Sequence, residues 1–415
     1  MPRLQPLLLG VLLALALPTA ALARPGELDP RFAGGGAALL GRAGAHLGGT
    51  AVALQGDGRA TVVGGDGRGF LVARLTARGT LDRSFGRRGS LTVRLRGASA
   101  GGARAVSLFR DGRILVAGTF TVGGVRRFAA ARLLPGGNLD PNFGSGGVAV
   151  AGPRGARLEA MALQPEGELV LAGSVPNGPR RAVLVMRLLA DGSPDPGFGR
   201  RGAVDSTAVK LAGRARDVLV LPDGRIALAA SVEGGRAARA TFLAARLTAA
   251  GAFDPSFDGD GVARVATTTR RMRGGGAAAL ARGRGGRLIL GGTARGAGGR
   301  EDATVVRLGA DGRRAGIARL SDPRGRSLRI AAMRRDARGR LLLGGRASGL
   351  GAAVLRLRGN LRRDRSFGAG GLAGGRLPRT RPAALATRGD GSVVIAGSAR
   401  IDGRDRVAVA RLLGR

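Results

Sequence analysis

An arginine and an aspartate recur along this chain at one fixed separation. Arg74 precedes Asp82, Arg132 precedes Asp140, Arg187 precedes Asp195, Arg246 precedes Asp254 and Arg356 precedes Asp364, each by eight residues. Three residues further on stands a phenylalanine: Phe85, Phe143, Phe198, Phe257 and Phe367. A guanidinium can bond a carboxylate through two parallel N–H groups, and eight residues is enough chain to turn and bring the two together. Such a pair is either a ligand site repeated along the chain or a staple of the fold. Its constant spacing within one chain favours the staple, which would also satisfy carbonyls at strand ends. The phenylalanine reads as a core plug, because a buried ring removes roughly 150–250 Å² from water and the chain has no Trp or Tyr.

The remaining reactive residue types are sparse. There is no Cys and a single His, His46, which excludes disulfide scaffolds, thiolate metal sites, Cys nucleophiles and multi-histidine metal centres. His46 has no nucleophile and orienting acid at usable spacing and reads as a loop residue. Asp258-Gly259-Asp260-Gly261 lacks the further carboxylates and the bidentate Glu of a calcium loop and reads as a turn. The glycine runs 34–36 and 274–276 do not stand between a strand and a helix, so they are not phosphate cradles. No catalytic residue, cofactor site or metal site is assigned, and no cofactor is expected.

The elements that would position these residues repeat as well. A turn followed by an apolar run ending in small residues occurs seven times. Its forms are Asp57-Gly58 before RATVVGG, Asp111-Gly112 before RILVAG, Glu166-Gly167 before ELVLAG, Asp223-Gly224 before RIALAA, Gly285-Gly286 before RLILGG, Arg338-Gly339 before RLLLGG and Asp390-Gly391 before SVVIAG. An apolar segment precedes each turn, as AVALQ (51–55) does, so the pair reads as a hairpin whose turn takes positive φ at both central residues. A third strand ends in Arg-Leu in every repeat, and a fourth follows the Phe, as in GVAV (147–150). Four strands per ~56 residues is the unit of a β-propeller blade. The fifth repeat departs, with Ala315 and Ala318 where Asp and Phe are expected.

The two ends complete the arrangement. LDPRFAGGGAALL (28–40) is the second half of a repeat and VAVARLL (407–413) the first half. Paired together they close seven four-stranded blades into an all-β ring without an unpaired edge. Residues 1–23 carry Arg3, an apolar stretch from Leu7 to Leu17 and the small-x-small site Ala21-Leu22-Ala23, the pattern of a cleaved signal peptide. Residues 24–415 are then one exported propeller domain, secreted or held in the envelope or periplasm. No later apolar run is long enough for a membrane span, and a monomer is expected.

Leu28-Asp29-Pro30, Leu139-Asp140-Pro141-Asn142-Phe143-Gly144 and Phe253-Asp254-Pro255-Ser256-Phe257, with the Asp-Gly and Arg-Leu elements, resemble the delta-60 repeat. The resemblance covers essentially residues 27–413 and implies a β-propeller of an exported bacterial protein, with no function attached.

Charge is the remaining signal. The chain carries a formal net charge of +40, and residues 261–381 hold 29 Arg against six acids, a net +23. Arg270, Arg271, Arg273, Arg295 and Arg300 fall in segments 263–276 and 293–303, which with 119–127, 174–181 and 231–241 read as variable loops on one face of the ring. Such a field suits an anionic polymer of the cell envelope or another extracellular macromolecule. Intracellular nucleic acid is not expected, because export removes it and stacking aromatics are missing. A Gly-, Ala- and Arg-rich composition with one lysine, Lys210, also arises from a GC-rich genome, so the charge is either functional or compositional. Two function classes stay open: a non-catalytic interaction module, and an extracellular hydrolase or lyase with carboxylates meeting in the central channel.

Overall fold

The computed structural model describes residues 24–40, 48–232, 241–267, 275–295, 299–374, 380–401 and 403–414. They form seven four-stranded antiparallel sheets and no α-helix. We name the strands of each blade a to d from the central channel outward. Blade 1 comprises Gly48–Leu54, Ala60–Gly65, Phe70–Leu75 and Ser90–Val93. Blades 2, 3, 4 and 6 follow at 98–151, 157–205, 213–266 and 328–374, and blade 5 comprises Gly275–Arg282, Leu288–Arg295, Glu301–Leu308 and Arg314–Leu320. Blade 7 takes Thr380–Thr387, Val393–Ile401 and Arg404–Leu412 from one end of the chain and Ala37–Leu40 from the other.

The middle strands are covered on both faces by neighbouring blades, which is why they read as unbroken apolar runs rather than alternating ones. Ile114 to Gly118 in strand b of blade 2 and Phe128 to Leu133 in strand c are buried residue after residue. The core is therefore a set of layers between blades. One layer joins Val62 and Ala73 to Val394 and Val409 of blade 7, and another joins Val170 and Val185 to Leu228 and Leu243. Phe70 and Phe120 stack across the first interface with centroids 4.3 Å apart.

The small residue that ends the apolar run within strand b has a steric reason. Every strand a carries a bulge, as between Ala103 and Ala105 or Leu158 and Ala160, and it pushes a carbonyl toward strand b. A Cβ on Gly118 would lie 2.1 Å from the Gly102 oxygen, and one on Gly173 2.0 Å from the Arg157 oxygen.

Three local features differ from the sequence reading. At the Asp-Gly turns only glycine takes positive φ (Gly58 at 87°), because Asp57 keeps an ordinary conformation and accepts the Arg59 N–H at 2.9 Å. The Gly58 N–H bonds the Gln55 carbonyl at 2.9 Å, giving a type I turn closed by a left-handed glycine. Only blade 5, where Gly285 and Gly286 stand without Asp, has both turn residues at positive φ, 61° and 72°. Segments 119–127 and 174–181 and the described parts of 293–303 are mostly strand, 296–298 lying outside the described residues: pairing continues to Val122↔Val125, Asn177↔Arg180 and Arg295↔Glu301. Residues 233–240 and 268–274 of the other two expected loops lie outside the described residues, as do the signal segment 1–23 and His46. In blade 5, finally, the missing LDPxF corner does not break the blade. The chain turns directly from Leu308 to Arg314 and forms a seven-residue outer strand.

Ala37–Leu40 lies antiparallel to Arg404–Leu412, with Ala37 opposite Ala410 and Leu40 opposite Val407, and this pairing closes the ring. Removing residues 27–40 exposes that edge and takes the buried Phe32 from the blade 7 layer. We expect the thermal transition of such a truncation to broaden and fall by on the order of 10 °C or more, whereas removal of the exposed Gly123-Gly124 tip leaves it near its original temperature. Equal melting of the two truncations refutes closure by this segment.

Candidate functional site

The recurrent arginine ends strand c and the recurrent aspartate opens the corner before strand d. Nε donates to Oδ2 at 2.8 Å for Arg74–Asp82, 2.7 Å for Arg132–Asp140, 2.5 Å for Arg187–Asp195, 2.7 Å for Arg246–Asp254 and 2.8 Å for Arg356–Asp364. The bond is single rather than bidentate, because the other nitrogens are used elsewhere. Nη2 donates to Ser84, Ser256 and Ser366 hydroxyls or to the Asn142 carbonyl. The guanidinium carbon sits over the ring of the following Phe at 4.3–4.9 Å in every case. The aspartate Oδ1 accepts the N–H two residues on, as from Ser256 at 3.0 Å, which fixes the corner.

Nη1 leaves its own blade. Arg74 donates to the Pro135 carbonyl at 2.6 Å, Arg187 to Ala249 at 2.6 Å and Arg356 to Gly414 at 2.6 Å, with Arg132 to Ala190 and Arg246 to Ala310 alike. Each acceptor lies three residues beyond the arginine of the following blade. The same unit spans the chain ends: Arg411 bonds Asp29 at 2.9 Å, lies over Phe32 at 4.9 Å and reaches the Ala77 carbonyl at 2.6 Å. The eight-residue spacing hides this pair, although the Arg-Leu element and Leu28-Asp29-Pro30 name both its members.

Burial acts to raise the carboxyl of Asp254, but the Ser256 hydroxyl and N–H and the Arg246 charge outweigh it and bring the pKa down to about 2. Asp82, Asp140 and Asp364 are lowered in the same way, burial being overcome by the neighbouring N–H or hydroxyl groups and the arginine.

On the opposite end of the strands, Arg295 closes strand b of blade 5 and Arg300 precedes strand c. Arg295 meets Glu301 at 3.6 Å and Arg300 meets Asp302 at 3.6 Å. Glu301 is also held by Arg329 of blade 6 at 2.7 Å. Arg270, Arg271 and Arg273 lie outside the described residues. The turn Asp258 to Gly261 uses Asp260 to accept the Val262 N–H at 2.8 Å and to pair with Arg264 at 2.8 Å.

The bulges aim Thr50, Arg104, Glu159, Arg216, Ala278 and their counterparts into the channel, where a narrow void of about 130 Å³ remains. Glu159 and Asp217 both border it. Burial pushes the Asp217 carboxyl up, against the Arg334 charge and two N–H groups, those of Leu280 at 2.9 Å and Val218 at 3.0 Å. Asp217 thus ties blade 4 to blade 5. No sequence pattern marked it, since bulge geometry decides which side chain of strand a meets the channel.

The family model described as "Domain of unknown function (DUF5122) beta-propeller" matches residues 55–85, 110–143, 164–198 and 388–414. These segments run from the turn between strands a and b into the arginine corner of blades 1, 2, 3 and 7, and they support a propeller repeat family. No curated protein matches the chain. Among solved structures it is similar to selenomethionine-substituted virginiamycin B lyase from Staphylococcus aureus, with 11% identity, 91% of this chain and 99% of that chain covered and a TM-score of 0.54. A catalytically inactive form of the lyase from that organism, with quinupristin, gives 12% identity, 90% and 98% coverage and a TM-score of 0.52. Polysaccharide lyase Uly1 gives 11%, 88% and 90%, and 0.49. At these identities the likeness is one of fold.

Two measurements check the staple. Asp140→Ala leaves the buried Arg132 short of a partner and is expected to cost about 1–3 kcal/mol in denaturant unfolding, with part recovered in the double variant Arg132→Ala/Asp140→Ala. Strict additivity of the two changes would remove the coupling. Because the folded pKa values lie below the ~3.9 of an unfolded Asp, the staples' stabilisation is complete above that value and lost as pH falls toward about 2. Unfolding free energy should therefore be level near neutrality and drop between about pH 4 and 2, with a smaller drop in Asp254→Asn.

Proposed function

We propose that the protein is a non-catalytic, exported β-propeller that binds anionic polymers of the cell envelope through the arginine-rich sector of blades 5 and 6. The observation that carries this reading is the concentration of positive charge in residues 261–381, which hold +23 of the chain's +40. Among the described residues, Arg295, Arg300 and Arg329 share Glu301 and Asp302 as ion-pair partners, so a positive excess remains, and Arg270, Arg271 and Arg273 add to it in the sequence between Ala266 and Gly275. Exposed guanidinia this close act additively at low ionic strength and are screened beyond a Debye length of about 8 Å at 0.15 M salt. Export rests on the pattern of residues 1–23.

The second reading, a hydrolase or lyase in the channel, draws on Glu159 and Asp217 bordering one void. Against it, each Asp217 oxygen already accepts a backbone N–H, which suits a clamp between blades better than a proton donor to a substrate.

Binding to polygalacturonate should weaken steeply between about 0.05 and 0.5 M NaCl. Replacing Arg270, Arg271 and Arg273 by Gln should weaken it, while Gln at the exposed Arg68, Arg94 and Arg154 of blades 1 to 3 should matter less. Salt-independent binding, or equal loss from both triplets, overturns the reading.

A further inference from the structure

In four blades the aspartate is met both by the arginine of strand c and by an arginine beyond the first turn of the blade, and Asp364 has Arg358 at 3.7 Å besides. Asp82 lies 2.8 Å from Arg74 and 3.5 Å from Arg59, Asp140 2.7 Å from Arg132 and 3.8 Å from Arg113, Asp254 2.7 Å from Arg246 and 3.3 Å from Arg225, and Asp364 2.8 Å from Arg356 and 3.8 Å from Arg340. The second arginine always follows the turn between strands a and b. Blade 5 keeps both arginines, as Arg307 and Arg287, but the carboxylate position is Ala315 and the ring position Ala318.

The consequence is an electrostatic vacancy at the interface of blades 5 and 6. Arg307 Nε is buried and has no hydrogen-bond partner. It makes no bond to the Gly359 carbonyl, which stands where every other staple finds its acceptor in the next blade. Its guanidinium packs against Gly316, where a Cβ would crowd Nη2 at 3.3 Å. A cavity of about 730 Å³ opens between the two blades, bordered by Arg284, Arg287, Arg307, Arg335 and Arg338 and by Gly359. The one acid among the described residues of its wall, Asp336, is already held by Arg340 at 2.6 Å. The volume falls within the range of about 300–1,000 Å³ typical of small-molecule sites.

We propose that this cavity binds one carboxylated sugar, whose carboxylate takes the position that Asp82, Asp140, Asp254 and Asp364 fill in other blades. Arg307 and Arg287 hold the carboxylate, as their counterparts do. The cavity is far larger than a carboxylate needs, and its wall sets glycine backbone and further guanidinium donors, which suit hydroxyl groups, beside the aliphatic side chains of Ile289 and Leu341, which suit the C–H face of a sugar ring. The site opens on the face of the turns between strands a and b and between strands c and d. It is therefore on the opposite face from Arg295 and Arg300 and stands apart from the polymer reading above.

The test is calorimetry of the purified protein with digalacturonate, neutral galactobiose and inorganic phosphate. Digalacturonate should saturate one site per chain, galactobiose should not bind, and phosphate should compete only weakly. Arg307→Gln should lower the affinity by about tenfold and the exposed rim variant Arg338→Gln by several-fold, whereas the pair Arg295→Gln/Arg300→Gln leaves it unchanged. If Arg307→Gln does not fold, the Arg338 variant decides. Phosphate binding as tightly as the uronate overturns the sugar assignment. Non-saturating uptake, or loss of binding only in the Arg295/Arg300 pair, overturns the cavity while leaving the polymer reading intact. Saturable digalacturonate binding with no salt-sensitive polymer binding does the reverse.

Discussion

Every blade but the fifth is tied to the next by one guanidinium. In Arg246, a side chain only 2% exposed, the charge is met by Asp254, backed by the Phe257 ring, bonded to the Ser256 hydroxyl and extended to the Ala310 carbonyl of the next blade. A buried charge is tolerable only when its donors are used and a counter-charge is close, and here four kinds of partner share the work. The arginine's planar fork makes this possible, since its nitrogens point in fixed directions that an ammonium could not reproduce. The corner, the core plug and the blade-to-blade contact are consequently one unit, and losing one member loosens all three.

The unit is also what makes the array a ring. Strand pairing holds each blade together internally, but neighbouring blades meet through apolar layers, which are non-directional. The arginine latch adds direction, because its acceptor is always the turn three residues past the next arginine. Arg411, Asp29 and Ala77 carry the latch across both the chain ends and the next interface. The fold is shared with enzymes that are barely a tenth identical to it, and a scaffold of this kind places few demands on the residues that would do chemistry.

Blade 5 shows how much of the unit can be dropped. Its outer strand lengthens and pairs with Glu301–Leu308 over most of its length, supplying by backbone bonds the cohesion that the corner supplies elsewhere. The arginines remain while the carboxylate and ring are gone, so the interface with blade 6 keeps its positive charge and gains space. The fixed spacing that organises five blades, with the split pair of Arg411 and Asp29 in blade 7, thus marks blade 5 by exception.

The four-stranded unit, the number of blades and the pairing of LDPRFAGGGAALL with the final strand were legible in the residues alone, because apolar runs, turn residues and their period are local properties of the chain. So were the arginine, aspartate and phenylalanine, which lie close along the chain. Contacts between atoms distant in sequence needed the folded chain: the reach of Nη1 into the next blade, the bulges that turn Glu159 and Arg216 toward the channel and the bond of Asp217 to blade 5, the continuation of strands through segments that read as loops, and the cavity around Arg307. The substitution of Ala315 is plain in the sequence as a break in a pattern. That it leaves two arginines facing an open space depends on how blade 6 packs against blade 5, and packing across an interface is written in no single repeat.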